Sequence, residues 1–260
     1  VIPINKPITD IKFIDSLKGW ICTSIGSGGA NDSYILYSTN GGVNWTIQYT
    51  APSASYNTLS IVDSNIIYAG GVVGAGAKLS KTTNGGITWF DIAMPTNSYI
   101  EDMHFLNKDS GWISGGTVGP DVRTTTNGGL NWIVRINGFN QQTHALYFLN
   151  YNTGFCAAAH VFKTTNAGLN WFSILVRSGS YNQIFFRNEN TGWIACSFSL
   201  GGGEVSSTTN GGMNWNYFQP DPVFESGLNG IYFIDNVRFT TGVYGNIFKT
   251  TNSGINWGYQ

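Results

Sequence analysis

Residues Ser38–Trp45 read STNGGVNW, and this eight-residue turn segment recurs along the whole chain. Each copy begins with a hydroxyl residue, has asparagine third and glycine fifth, and ends in tryptophan. The other five copies are Thr82–Trp89, Thr125–Trp132, Thr164–Trp171, Thr208–Trp215 and Thr250–Trp257. Successive closing tryptophans are 44, 43, 39, 44 and 42 residues apart. The chain therefore consists of six repeats of the length that suits a four-stranded propeller blade.

Each repeat contains four short apolar runs that are bounded by Gly, Asn, Asp or Ser. In the first repeat these runs are Ile11–Ile14, Gly19–Thr23, Tyr34–Tyr37 and Trp45–Ile47. Runs of this length with such boundaries are typical of β-strands, and no segment has a sustained apolar period of 3.6 residues. We therefore expect almost no helix and about 24 strands, four in each of six repeats.

A four-stranded sheet that is apolar on both faces needs a neighbour on each side, and radial closure supplies one for every sheet. We predict an all-β fold, a six-bladed β-propeller with four antiparallel strands and one turn segment per blade, as a single domain over residues 1–260. Residues 1–4 are expected to close the ring with the last blade. The predicted blades are approximately 5–49, 50–93, 94–136, 137–175, 176–218 and 219–260.

The turn segment has a structural purpose that its residue types explain. The asparagine side chain can accept hydrogen bonds from nearby backbone, and glycine permits the positive φ that tight turns require. The closing tryptophan is expected to bury its ring between blades. An alternative interpretation makes the six asparagines a ligand or calcium set, but they lack the charge that a hard cation prefers.

The six segments resemble Asp-box (BNR) repeats, the Ser-x-Asp-x-Gly-x-Thr-Trp turns of sialidases, sortilin-type receptors and xyloglucan hydrolases. They are most similar to the Thr-Thr-Asp-Gly-Gly-x-x-Trp repeats of photosystem II stability/assembly-factor propellers, and their form Thr-Thr-Asn-Gly-Gly-x-Asn-Trp resembles repeats of related secreted bacterial proteins. This chain has asparagine where those families have aspartate, in all six copies. The resemblance implies a propeller whose turns lie opposite the binding face, so the turns themselves imply no activity.

Composition and charge exclude several classes of protein. Hydrophobic residues make up 42% and charged residues 10%, which excludes a disordered chain. The net charge of −1 supplies no positive face for nucleic acid, and no apolar run is long enough for membrane insertion. The cysteines Cys22, Cys156 and Cys196 are expected to be buried thiols rather than a disulfide framework. We predict no cofactor and favour a monomer.

The sequence gives limited support to catalysis. A sialidase-like site would need three converging arginines, a tyrosine with a partner glutamate, and an acidic aspartate. The arginines suffice in number, but the chain has only four glutamates and no opening Arg-Ile-Pro. Another glycosidase would need two carboxylates about 5–10 Å apart, for which Glu101, Asp102 and Asp10 are the candidates. The three histidines lack zinc-ligand spacing, so no metal site is predicted.

A binding site is predicted where the first strand of each repeat begins. Aligning the repeats on the Asp or Asn that ends this strand places a polar residue six positions earlier in every copy. These residues are Thr9, Asn57, Glu101, His144, Asn182 and Asn229. They are interpreted either as a ring of hydrogen-bonding groups at the channel mouth or as ordinary solvated strand ends.

Aromatic and charged residues in the adjoining linkers extend the predicted site. The aromatic ones, expected to expose their rings for stacking, are Tyr56, Tyr99, Phe139, Tyr181 and Phe224. The charged ones are Arg177, Asp221 and Glu225.

The function that these features favour is a non-enzymatic, extracellular binding or scaffolding module of a bacterium, secreted or on the cell surface. Its expected ligand is a glycan or a protein, bound at the channel mouth and the inter-blade loops. One alternative is a glycoside hydrolase with a carboxylate pair near the channel. Another, drawn from the resemblance, is an assembly-factor-like helper of a membrane complex.

Overall fold

The computed structural model describes residues 1–24, 32–94, 99–115, 121–137, 143–175, 179–198, 202–219, 227–234, 237–242, 246–252 and 256–260. In these ranges the chain forms 24 strands and no helix. The strands form six sheets of four, each sheet pairing its strands antiparallel and in chain order. The prediction of six four-stranded blades is thereby confirmed. The chain divides into two compact units, Val1–Asn140 and Gln141–Gln260, with three sheets each.

The first unit contains three blades. The first has strands β1 (Ile8–Phe13), β2 (Gly19–Thr23), β3 (Asp32–Ser38) and β4 (Thr46–Pro52). The second has β5 (Ala54–Ile61), β6 (Ile67–Val73), β7 (Gly76–Thr82) and β8 (Phe90–Asp91). The third has β9 (Ile100–Phe105), β10 (Gly111–Gly115), β11 (Asp121–Thr125) and β12 (Ile133–Asn137).

The second unit repeats this order. Its blades are β13 (Ala145–Phe148), β14 (Gly154–Ala157), β15 (Val161–Thr164) and β16 (Phe172–Leu175), then β17 (Ser180–Phe186), β18 (Gly192–Ser197), β19 (Gly203–Thr208) and β20 (Asn216–Phe218). The last has β21 (Leu228–Ile234), β22 (Val237–Gly242), β23 (Ile247–Thr250) and β24 (Gly258–Tyr259). In both units, the first strand of each sheet is called the inner strand below.

The turn segments have the hydrogen bonds that their residue types predict. In the third copy, Thr125 Oγ1 donates to Asn127 Oδ1 over 3.0 Å and accepts from the backbone N of Gly129 over 2.9 Å. The same Oδ1 accepts from the N of Asn131 over 2.9 Å. Gly128 and Gly129 have φ of +70° and +96°, which only glycine adopts without strain. The asparagine side-chain oxygen thus closes the turn.

Aromatic stacking joins neighbouring blades inside each unit. The rings of Tyr68 and Phe105 stack with centroids 3.6 Å apart in the first unit, and those of Phe155 and Phe186 stack at 3.5 Å in the second. The closing tryptophan of a blade meets the same phenylalanine edge-on, as Trp215 meets Phe186 at 6.4 Å. This packing explains why the second strand of several blades opens with glycine, whose missing Cβ makes room for the ring.

The first residues of the chain contact the first blade. The Val1 amino group donates to the Val43 carbonyl, and the Trp45 backbone N donates to the Val1 carbonyl over 3.2 Å. Ile4 packs against the cluster that contains Trp45. The expected pairing of residues 1–4 with the last blade stays a prediction, as does the single domain.

Candidate functional site

The predicted polar position coincides with a β-bulge in five of the six inner strands. In β1 the pairing with β2 passes from Ile8 to Asp10 and leaves Thr9 as the extra residue. The strands β5, β9, β17 and β21 have corresponding bulges. The residues left extra in them are Asn57, Glu101, Asn182 and Asn229, respectively. A bulge turns its extra residue out of the ladder and leaves nearby backbone without a ladder partner. The sequence alignment therefore found a real structural position but gave no sign of the bulge.

Three of these bulge residues donate hydrogen bonds to the next blade. Thr9 Oγ1 donates to the Tyr56 carbonyl over 2.8 Å, and Asn57 Nδ2 donates to the Ile100 carbonyl over 2.8 Å. In the second unit Asn182 Nδ2 donates to the carbonyl of Leu228 over 2.7 Å. Each acceptor is the carbonyl that directly precedes the bulge residue of the next blade. These side chains hold blades together, and their role toward a ligand stays a prediction.

The remaining predicted polar residues differ in environment. Glu101 is half-buried, and burial, followed by repulsion from Asp102, raises its pKa. His144 is also half-buried, and burial lowers its pKa. Asn229 is exposed. Of the six positions, Glu101 thus presents a carboxyl group that holds a proton more readily than usual.

The expectation that the linker aromatics are exposed is wrong for two of them. Tyr56 and Tyr181 are 0% and 1% exposed. Both lie within inner strands rather than linkers, immediately before the bulge, and their rings belong to the cores between blades. The Tyr56 hydroxyl is 2.6 Å from Ser80 Oγ. Tyr99 is half-buried. The residues Phe139, Arg177, Asp221, Phe224 and Glu225 lie outside the described part of the chain.

The Asp10 carboxylate accepts hydrogen bonds from three donors. Its Oδ1 accepts from the backbone N of Ile11 over 2.8 Å and from Lys12 Nζ over 2.9 Å. Its Oδ2 accepts from the backbone N of Leu59 in the next blade over 2.9 Å. These three hydrogen bonds fix the orientation of the carboxylate and tie it to the next blade.

Asp102 is anchored in a similar way. Its Oδ1 accepts from the backbone N of Met103 over 2.8 Å and from Thr58 Oγ1 of the preceding blade over 2.8 Å. Asp10 and Asp102, which the sequence offered as glycosidase candidates, thus take part in blade-to-blade contacts. They keep fixed orientations because backbone amides hold them.

Lys12 links these two carboxylates electrostatically. Burial alone would lower the pKa of Lys12, but attraction to Asp10 and to Asp102 raises it above its ordinary value. His104 lies close enough that burial and then the charge of Lys12 lower its pKa to about 4, so it is neutral at pH 7. The Lys12 side chain is 37% exposed. We call Asp10, Lys12, Asp102 and His104 the charged cluster.

Sequence reasoning named the carboxylates of this cluster but missed Lys12 and His104. Residues 10 and 12, like 102 and 104, are two apart in a strand, so their side chains share one face. This two-residue spacing is the feature of the sequence from which Lys12 and His104 could have been predicted as neighbours of the two carboxylates. The positions of the second unit that match Lys12 and His104 hold aromatic rings instead, and Tyr147 and Phe185 lie 5.3 Å apart between centroids. Tyr232, at the same position of the last blade, is 52% exposed.

The described residues contain neither a candidate metal site nor a candidate membrane-spanning helix. Across the described ranges, no group of three or more His, Cys, Asp or Glu side chains is placed to hold a metal ion. No helix in that part of the chain is long and apolar enough to cross a membrane. All three cysteine thiols are buried and form no disulfide, and burial, the largest effect, raises the pKa of Cys22.

Comparison with known proteins gives similar structures but no similar sequences. No protein-family model and no curated protein matches the chain. The solved structure of YCF48 bound to D1 peptide is 18% identical with a TM-score of 0.74, covering 100% of this chain and 83% of that one. YCF48 from Cyanidioschyzon merolae is 14% identical with a TM-score of 0.70, over 99% of this chain and 86% of that one.

The structure of an enzyme is similar as well. The GH74 enzyme of Niastella koreensis is 17% identical with a TM-score of 0.72, and the match covers 96% of this chain but 46% of the enzyme. Likeness at such low identity is informative about the fold alone. With the six observed sheets it confirms the predicted fold class, an all-β six-bladed β-propeller with four antiparallel strands per blade.

Proposed function

We propose that this chain is a non-enzymatic binding module and that the charged cluster on the inner strands of its first unit is the centre of its binding site. The ligand that fits best is an extended protein segment. The observation that carries the proposal is the anchoring of Asp10 and Asp102 by backbone amides, together with the partly exposed Lys12 that is attracted to both carboxylates. Charges held in place before binding lose little entropy when a ligand arrives.

A protein ligand suits this arrangement for chemical reasons. A peptide offers amide groups and side chains of both charges, which match a cation flanked by two fixed anions. The similar YCF48 structure holds a peptide, which supports the same ligand class for this chain. A partner within a membrane complex would make the chain an assembly-factor-like helper. A glycan is the other candidate ligand, supported by the rings of Tyr147 and Tyr232 on the inner strands of the second unit.

We also place the chain among Asp-box propellers of secreted or cell-surface bacterial proteins. Six turns closed by an asparagine oxygen, in the manner of the Asp-box aspartate, support that assignment. The low content of charged residues fits an extracellular setting. Detection of the mature protein in the culture medium or on the cell surface of its source organism would test the localisation, and recovery from the cytoplasm alone would contradict it.

The site is tested by binding to a displayed peptide library, with variants that separate it from the rest of the surface. Lys12→Met removes the central cation, whereas Lys18→Met removes an exposed lysine from the loop that follows β1. We expect selected peptides to bind the unmodified chain and Lys18→Met equally and to lose at least tenfold in affinity for Lys12→Met, about 1.4 kcal/mol. A matching unfolding midpoint would show that Lys12→Met is folded. Equal binding by both variants would show that the charged cluster is not the binding site.

A glycoside hydrolase is the second candidate function, and one observation favours it. Glu101 is half-buried with a raised pKa and neighbours Asp102, an arrangement that suits a general acid beside an anion. This function predicts new products from an oligosaccharide mixture, detected by mass spectrometry. It also predicts that Glu101→Gln stops their formation while the sugar still binds.

A further inference from the structure

Four of the six turn segments place glycine directly after the asparagine. These Asn-Gly steps begin at Asn40, Asn84, Asn127 and Asn210. In such a step the glycine backbone N can attack the asparagine Cγ, forming an N–Cγ bond and breaking the Cγ–Nδ2 bond. Nδ2 leaves as ammonia with the proton from the glycine N. Water then opens the cyclic imide, at Cγ to give aspartate or at the main-chain carbonyl carbon to give isoaspartate.

The folded turn restrains both reacting groups. The attacking N–H donates to a carbonyl of the loop between the first two strands of the same blade, as in Gly128 to Asp109 over 2.8 Å and Gly211 to Asn190 over 2.8 Å. The Gly41 and Gly85 amides make the same bond over 2.9 and 3.0 Å. The asparagine Oδ1 accepts two further bonds, described above for Asn127. The glycine N therefore reaches Cγ only after the turn opens.

The turns differ in how well they are covered. Gly41 is exposed and Gly85 is half-buried, whereas Gly128 and Gly211 are buried. A lysine of the preceding blade lies over each buried glycine, and a Cβ added to Gly128 would approach Lys81 Nζ to 2.9 Å.

Each of these lysines is itself held in place. Lys81 Nζ lies 4.7 Å from the Tyr68 ring centroid and donates to the Lys108 carbonyl over 3.4 Å. Lys163 Nζ donates to the Glu189 carbonyl over 3.3 Å and takes the same position beside Gly211. Opening either turn must therefore displace a lysine from the neighbouring blade.

We propose that these four asparagines are spontaneous deamidation sites, each controlled by the opening of its own turn. Asn40 reacts fastest, and Asn127 and Asn210 react slowest. The aspartate product keeps the oxygen that accepts the two turn hydrogen bonds, so the turn closes again around it. The isoaspartate product adds an atom to the main chain and leaves the turn unable to close. Deamidation at a given asparagine therefore indicates that the turn of that blade has opened.

The test is peptide mapping by mass spectrometry of the full chain after incubation in mildly alkaline buffer, folded and in urea. Urea should bring the four sites to similar rates. Folding should slow Asn127 and Asn210 at least a hundredfold, about 2.7 kcal/mol of opening free energy, and should slow Asn40 less. Asn166, which precedes alanine, is the internal control and should react more slowly than the four sites in urea.

Two lysine variants separate local opening from general instability. Lys81→Ala should accelerate deamidation of Asn127 in the folded chain without changing Asn210, and Lys163→Ala should do the reverse. Equal rates at all four sites of the folded chain would show that global unfolding controls the reaction and would overturn the proposal. A common acceleration of all sites by either lysine variant would do the same, as would folded rates that match those in urea.

Discussion

Replacing Gly192 with alanine should destabilise the second unit strongly, although it adds one methyl group. A Cβ at this position would lie closer than 3.0 Å to three atoms of the Phe186 ring. That ring cannot easily move, because it stacks on Phe155 with centroids 3.5 Å apart and planes 4° apart and meets Trp215 edge-on. The substitution therefore forces either a clash or a loss of stacking.

The expected magnitude follows from opposing terms. Overpacking of a close-packed core costs about 1–3 kcal/mol, and a disturbed aromatic pair adds about 1 kcal/mol. Alanine also restricts the unfolded chain, which returns about 0.4–1 kcal/mol. We expect a net loss of about 1–3.5 kcal/mol in the free energy of unfolding.

The assay is equilibrium unfolding in urea, followed by tryptophan fluorescence and far-ultraviolet circular dichroism. Gly258→Ala is the matched control, because nothing lies within 4 Å of a Cβ there, and it should stay within about 0.5 kcal/mol of the unmodified chain. Phe186→Leu introduced beside Gly192→Ala should restore part of the loss, giving a coupling energy of about 1 kcal/mol or more. A Gly192→Ala chain as stable as the control would refute this packing argument.

Three further predictions concern the bulges, the turns and the charged cluster. Asn57→Ala leaves the Ile100 carbonyl without its inter-blade donor and should lower the free energy of unfolding in urea by about 1–3 kcal/mol. An unchanged midpoint would mean that this bond contributes nothing to stability. Ala167, at φ +58°, occupies a turn position that glycine holds in four copies, and its Cβ makes this backbone conformation strained. Ala167→Gly should therefore raise the free energy of unfolding by about 1 kcal/mol, and a lower value would contradict the presence of strain. The pKa of His104 falls to about 4, so the unfolded chain binds the proton more tightly. Stability should drop by up to about 3 kcal/mol as pH falls from 6.5 to 4, and His104→Gln should flatten this dependence.

The strands and turns of this fold could be predicted because their determinants are local. An asparagine, a glycine and a tryptophan at fixed spacing specify a hydrogen-bonded turn whatever surrounds it, and six copies indicate six blades. The burial of Tyr56 was missed because the sequence pattern places this residue in a linker before the inner strand, whereas β5 already begins at Ala54.

The candidate site was only partly predictable because it depends on which blades are neighbours. The sequence places Thr9 and Asn57 at the same position of their repeats but cannot show that Thr9 donates to the blade that contains Asn57. Likewise, Asp102 and Lys12 are far apart in the chain, and only the fold brings their charges close. Contacts between strands of successive repeats, unlike the turns, require the three-dimensional arrangement.

The charged cluster is proposed to bind a ligand and to perform no chemistry on it. The most direct measurement incubates the purified chain with arrays of peptides and glycans and analyses every bound species by mass spectrometry. We predict bound peptides of unchanged mass whose retention requires Lys12 and not Lys18. Cleaved sugars or peptides that disappear with Glu101→Gln would contradict the claim and identify the chain as a hydrolase.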